Sequence, residues 1–284
     1  MKLRNYFLMA VIALCSQACS DDENTPDDPT PSLAEEIAGS YEGILRQSVQ
    51  GSSQGKAELT LTIEAEEDGT ATVSVPALGS GAMSMGAMTI TGVEVEKNGT
   101  SYTLTKESFE VTAGQVNVTG SLSGTIDSNG EAQITFPIKP GAMPFEIECK
   151  FVSATTPAAK VADEYVGHYS MSVMGSEQGS GDMTIVITEQ SDGKVTLTVP
   201  GLGMGSMTME DIVIPDVTVT ASADGYTIVE TSYSVAQTSF TVTGTVSGTI
   251  SKEGDAEIVA VARPGAMPMD ITINFSTEEE VAQE

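Results

Sequence analysis

The sequence predicts an all-β protein built as two tandem antiparallel meander β-barrels of about eight strands each. Three observations carry that expectation. Apolar and polar residues alternate with a period of two along most of the chain, as in strands with one buried face. Turn pairs such as Asp68-Gly69, Asn98-Gly99 and Asn129-Gly130, answered by Asp192-Gly193, Asp224-Gly225 and Glu253-Gly254, link consecutive strands as hairpins. Finally, residues 51–151 return without a gap at 175–275, with roughly two positions in five identical. KPGAMPFEIECKF (139–151) is answered by RPGAMPMDITINF (263–275), and VTGSLSGTI (118–126) by VTGTVSGTI (242–250).

The N-terminus reads as an export address. MKLRNYFLMAVIALCSQAC has a basic start and an apolar run too short to span a bilayer, and it ends in small residues. Residues 1–18 therefore form a signal peptide. The segment leading into Cys19, followed by Ser20-Asp21-Asp22-Glu23, resembles a bacterial lipoprotein signal, although Ser16 stands where that pattern prefers an aliphatic residue. The acidic run after the cysteine is similar to the surface-export signal of Bacteroidota lipoproteins. The resemblance implies that Cys19 carries lipid and that the protein sits on the outer face of the outer membrane of a Gram-negative bacterium. Residues 19–32, acidic and proline-rich, make a solvated tether.

The first unit spans 33–154, a linker 155–160, the second unit 161–277 and an acidic tail 278–284. Each unit opens with a short helical turn, LAEEIAG in one and VADEYVG in the other, with the offset between copies changing by four residues in the first hairpin. Within a unit, Ala57, Leu59, Leu61 and Ile63 share one strand face, and Phe145, Ile147, Cys149 and Phe151 share another. Val116, Val118, Gly120, Leu122, Gly124 and Ile126 have one parity, so both glycines point inward. An inward glycine lets a strand coil sharply, which favours a closed barrel over a sandwich.

Composition bounds the function. The chain of 284 residues carries 12 basic and 40 acidic side chains, a formal charge of −28. Such a field repels phosphate backbones and anionic headgroups and argues against nucleic acid as a partner. After loss of the signal only Cys149 remains unmodified, so no intramolecular disulfide forms; Cys149 aligns with Ile273, which marks it as an apolar filler. Histidine occurs once, as His168, and no nucleophile elbow, phosphate loop or HExxH motif stands in a fitting context, so the expectation is no enzyme and no cofactor.

Binding candidates are few. Met83-x-Met85, Met207-x-Met209 and Met267-x-Met269 place two thioethers on one strand face, which suits Cu(I) ligation or the lining of a forgiving apolar pocket. Without histidine or cysteine beside them, packing is the stronger reading and no metal is expected. Lys139 and Arg263 are the one aligned pair of basic residues, placed at a strand end where they could hold an anionic ligand group or pair with a surface carboxylate. The acidic run Glu64 to Asp68 lacks the EF-hand spacing.

Gly39-Ser40-Tyr41 and Gly167-His168-Tyr169 are similar to the glycine and aromatic that open the first strand of lipocalins and other calycins. VPALGSGAMSM (75–85) and VPGLGMGSMTM (199–209), each followed by a short alternating strand, resemble the calycin-like domain of Bacteroidota lipoproteins. The first-strand aromatic is tyrosine rather than the tryptophan of classical lipocalins. The resemblance implies a calycin-like barrel in each unit. It implies a surface lipoprotein that binds a small apolar or amphiphilic ligand in or between its barrels. The alternative is a structural or adhesive protein with filled barrels whose outer faces bind another protein.

Overall fold

The computed structural model describes residues 31–78, 85–204 and 207–277, without the side chains of Met204 and Met207. In the first unit a helical turn, α1 (Leu33–Ile37), precedes eight strands: β1 (Gly39–Val49), β2 (Ser52–Ala65), β3 (Ala71–Val75), β4 (Met88–Asn98), β5 (Ser101–Ala113), β6 (Val116–Ile126), β7 (Ala132–Pro140) and β8 (Ile147–Ser153). Each strand pairs with the next, and β8 returns to β1, which closes the barrel. The closing register puts Leu45 opposite Phe151 and Arg46 opposite Lys150. Closure leaves no edge to recruit another chain.

The second unit repeats this pattern: α2 (Pro157–Val161), β9 (Asp163–Val173), β10 (Ser176–Glu189) and β11 (Val195–Val199), a small ribbon of β12 (Gly203–Met204) and β13 (Met207–Thr208), then β14 (Ile212–Val217), β15 (Val219–Ala221), β16 (Gly225–Ala236), β17 (Thr241–Ser251), β18 (Ala256–Pro264) and β19 (Ile271–Ser276). Its main sheet has nine strands rather than eight because the counterpart of β4 is split. Gly92 in β4 has φ of 63°, and Asp216, 124 positions later, keeps the same left-handed conformation at φ of 59°. The bend divides β14, which pairs with β11, from β15, which pairs with β16. The Val229 N–H donates to Thr218 O at 2.9 Å across the break, so the ring is nearly closed.

The offset between copies does not change in the first hairpin, contrary to expectation. β1 and β9, and β2 and β10, both stand 124 residues apart. The helical turn of the second unit is Pro157–Val161, in the connecting stretch, and VADEYVG is mostly strand. Two side chains fix the correct correspondence: the Tyr41 hydroxyl donates to Ile37 O at 2.6 Å and the Tyr165 hydroxyl to Val161 O at 2.8 Å. The repeated opening motif is therefore Tyr41-x-Gly43 and Tyr165-x-Gly167, and His168 answers Ile44 rather than Ser40.

Five-residue helices are too short to persist alone, so capping and burial must hold them. Ser32 and Glu35 form a reciprocal capping box on α1. On α2, Thr156 accepts from the Ala159 N–H and Pro157 sits in the first turn. Ala34 and Ile37, and likewise Ala158 and Val161, are buried and plug one mouth of each barrel. At the other end Leu78 bridges to Met85 in the first unit, and Leu202 accepts from Met209 N in the second.

Each barrel has its own core, and the two cores share no residue. Inward parity on β6 is as expected, with Val118, Leu122 and Ile126 buried. The inward glycines make room for aromatic rings. A Cβ at Gly120 would lie 2.8 Å from Phe109 Cζ, and one at Gly167 would lie 2.9 Å from Phe275 Cζ. Missing side chains on one strand are thus filled by rings from another.

Candidate functional site

The barrel interiors are occupied by side chains. Phe136, Phe151, Leu45, Leu104 and Leu122 fill the first, and Leu197, Val246, Ile258 and Ile273 the second. Each such aliphatic side chain contributes roughly 1.5–3 kcal/mol through burial. Two clefts lie on outer faces. One of about 510 Å³ lies across β5–β7 beside Glu107 and Glu146, and one of about 300 Å³ lies across β18, β19 and β9 beside His168 and Val259.

A larger cleft, about 660 Å³, opens between the barrels. Arg46, Lys56, Glu148 and Lys150 line it from the first barrel, and Asp163 and Glu164 from the second. Its wall is a contact between the side of one barrel and the helix-bearing end of the other. Period-two alternation on β1 and β2 turns Glu42, Ile44, Arg46, Lys56 and Glu58 outward, and the second barrel covers this row. Ile44 is only 2 % exposed although it faces away from its own barrel's core.

Around Ile44 the contact is polar. Arg46 Nε lies 3.0 Å from Asp163 Oδ2, and Arg46 Nη2 donates to Ala162 O at 2.8 Å. Lys56 Nζ lies 3.7 Å from the same carboxylate, donates to the Tyr165 hydroxyl at 2.9 Å and sits 4.8 Å above that ring's centroid. Lys160, in α2, reaches back to Glu42 at 2.5 Å and Glu58 at 3.1 Å. The Tyr226 hydroxyl donates to Glu58 Oε1.

Burial and pairing compete in setting the protonation of these groups. The Lys56 side chain is 8 % exposed, and its desolvation depresses the ammonium pKa, with Asp163 opposing the fall. Burial also works against charge on Lys160, but its hydrogen bonds to Glu42 and Glu58 prevail and raise its pKa. Tyr165 and Tyr226 are both pushed up, first by burial, so they remain neutral hydrogen-bonding phenols at ordinary pH. The arrangement positions charges and offers no nucleophile–base pair. Among the described residues no cluster of three or more metal-ligating side chains occurs.

Of the residues singled out from sequence, Met85 and Met209 are buried in the two cores near the loop-bearing ends. Lys139 and Arg263 are exposed on outward positions of β7 and β18. Arg263 Nε pairs with Asp270 at 2.7 Å, whereas Lys139 has no ion pair among the described residues. Cys19, Met83 and the Met207 side chain lie outside the described residues. His168 stands on the outer wall with Nδ1 3.3 Å from Asp182. Sequence reasoning missed Arg46, Lys56, Lys160 and Asp163. It sought charges shared by both copies, and these three cations and one carboxylate are not shared: their counterparts are Ser170, Ser180, Glu36 and Gly39. The usable signal was the difference between copies.

Two consecutive meander barrels, each plugged by a helical turn and joined through one polar seam, define a tandem calycin-type β-barrel protein. The family profile of the calycin-like beta-barrel domain matches residues 37–154 and again 161–278, and the chain belongs to that family. Among solved structures, the chain is similar to a candidate outer membrane protein of Bacteroides fragilis, at 25 % identity and a TM-score of 0.49, covering 88 % of this chain and 100 % of the other. It is also similar to a protein of unknown function of the DUF3598 family from Nostoc punctiforme, at 13 % identity and a TM-score of 0.26, covering 87 % of this chain and 98 % of the other. No curated protein matches the chain.

Proposed function

We propose that the chain is a non-enzymatic lipoprotein, anchored through Cys19 to the outer face of a Gram-negative outer membrane. In this reading its filled barrels form a scaffold whose outer walls bind another protein. The observation that carries it is the occupied interior: inward positions hold closely packed side chains where a calycin that carries a ligand would keep space. The neighbouring walls differ in chemistry. Val166, beside the inter-barrel cleft, is 69 % exposed on the second barrel, whereas its counterpart on the first is Glu42 within the inter-barrel contact. The export signal read from the sequence supports the location.

The cleft between the barrels favours a second reading, in which a small ligand binds there. Its lining sets Arg46, Lys150, Glu148 and Glu164 beside Tyr165 and Val166, which suits an amphiphilic molecule with a charged group. Native mass spectrometry of residues 20–284 purified from the producing organism separates the two. The scaffold reading expects the bare polypeptide mass, and a stoichiometric small molecule retained on the chain would overturn it. For the anchor, Cys19→Ala is expected to move the protein from the membrane to the soluble fraction; persistence in the membrane rules the lipid out.

A further inference from the structure

We propose that the contact between the barrels is a releasable electrostatic latch, in which Asp163 of the second barrel, gripped by Arg46 and Lys56 of the first, fixes one arrangement of two separately folded bodies. The argument begins with what the contact lacks. Each barrel has a complete core, and no residue of one core belongs to the other. The outward row of the first barrel contributes one fully buried apolar side chain, Ile44. Everything else named at the seam is charged or phenolic: Glu42, Arg46, Lys56 and Glu58 on one side; Lys160, Asp163, Tyr165 and Tyr226 on the other.

Asp163 holds the central position. It is the first residue of β9, directly after α2, and one of its oxygens lies within ion-pair distance of both Arg46 and Lys56. The partners of this bridge remain partly open to water, with Arg46 at 34 % and Asp163 at 26 % side-chain exposure. Pairs so exposed contribute modestly to stability, which is what a releasable contact requires. Losing Asp163 would leave Lys56, which is nearly buried, without a carboxylate within 4 Å among the described residues, held by the neutral Tyr165 alone. A buried unpaired ammonium is costly, so the contact would part rather than keep it. Opening exposes Ile44 and widens the cleft without disturbing either barrel interior.

The contact is also specific to this pairing of surfaces. The equivalent wall of the second barrel presents His168, Ser170 and Ser180 in place of Ile44, Arg46 and Lys56, and the equivalent end of the first barrel presents Gly39 in place of Asp163. The same surfaces exist twice, but the charges that join them exist once.

Nitrogen-15 relaxation on residues 20–284, which retain both barrels, reads the tumbling of each barrel separately. The wild-type chain is expected to show one correlation time for both. Asp163→Asn is expected to give two, each falling by about half as the mass that tumbles together halves, with amide shifts away from the seam unchanged. Should Asp163→Asn disturb the start of β9, the double variant Arg46→Gln with Lys56→Gln removes both of its ion pairs from the other barrel. A single unchanged correlation time in whichever variant folds overturns the proposal, and so does a wild-type chain that already tumbles as two bodies. Neither result depends on the functional reading above.

Discussion

Phe136→Ala tests whether the first barrel is filled or merely shut. Phe136 is 0 % exposed on β7, faces inward between Ile134 and Ile138, and lies opposite Cys149 of β8 in the β7–β8 pairing. A buried phenylalanine removes about 150–250 Å² from water, worth about 4–6 kcal/mol at 25 cal/mol per Å². Truncation to alanine keeps part of that burial but leaves a cavity that a closed ring of strands cannot collapse into, and measured losses for such changes run about 3–5 kcal/mol. Both estimates predict a loss of about 4 kcal/mol. Guanidinium unfolding, followed by tyrosine fluorescence and far-ultraviolet circular dichroism, should show the first barrel's transition moving to lower denaturant. The second barrel, whose core contains none of these residues, should keep its midpoint. A loss below about 1 kcal/mol would refute the reasoning, because only a loosely packed or ligand-accommodating interior tolerates it. An equal shift of both transitions would refute the independence of the cores.

Three further outcomes follow from particular atoms. Gly120→Ala should destabilise the first barrel by about 3 kcal/mol, the upper part of the overpacking range. The new Cβ would lie 2.4 Å from Pro137 O, whereas Gly39→Ala, with nothing within 4 Å, should change the unfolding midpoint hardly at all. The Cys149 thiol is pushed up to about 11 by burial, with the Glu148 charge adding and the Gln47 amide opposing. Its neutral form therefore favours the folded state fully below the ordinary thiol pKa of about 9, and this advantage is lost as pH rises from there through about 11. Iodoacetamide at pH 8.5 should leave it unmodified until denaturant is added, and fast labelling of the native chain would contradict its burial. Residues 32–155 produced alone should unfold cooperatively as a barrel with Ile44 exposed; a chain that stays unfolded without its second half would mean that the interiors are not separate.

Architecture was legible in the sequence wherever a periodic rule governed it. Strand parity on β6 placed Gly120 and Gly124 inward without any structure, because a period of two admits only two assignments. Repetition then carried each assignment to the other copy. The first hairpin was misjudged because matching letters (the Gly-x-Tyr triplets) outweighed position. The constant offset pairs Gln50-Gly51 with Met174-Gly175, and both pairs take positive φ, although glutamine and methionine are not the residues that usually announce such a turn. Asp216 shows the same limitation, since it occupies the left-handed position of Gly92 and splits a strand that alternation alone would have kept whole.

The seam was illegible for a different reason, and that reason bears on how the protein works. Inward residues are held by packing within their own barrel, and many duplicates stay alike, as Ile63 and Ile187, Ile126 and Ile250, Ile134 and Ile258, Phe151 and Phe275 do, although Phe136 answers Ala260. Outward residues answer to whatever lies beyond the barrel, and there the copies part. Ile44 with Arg46 became a docking wall, whereas His168 with Ser170 stayed in solvent. If both walls had kept the same charges and both ends the same aspartate, a free wall on one chain would fit a free end on the next. Such a head-to-tail contact does not close and runs on into filaments. With Arg46 and Lys56 on one wall only, and Asp163 on one end only, that pairing is satisfied within a single chain. The second barrel's wall carries none of these charges, so the divergence between the two halves decides which wall meets which end.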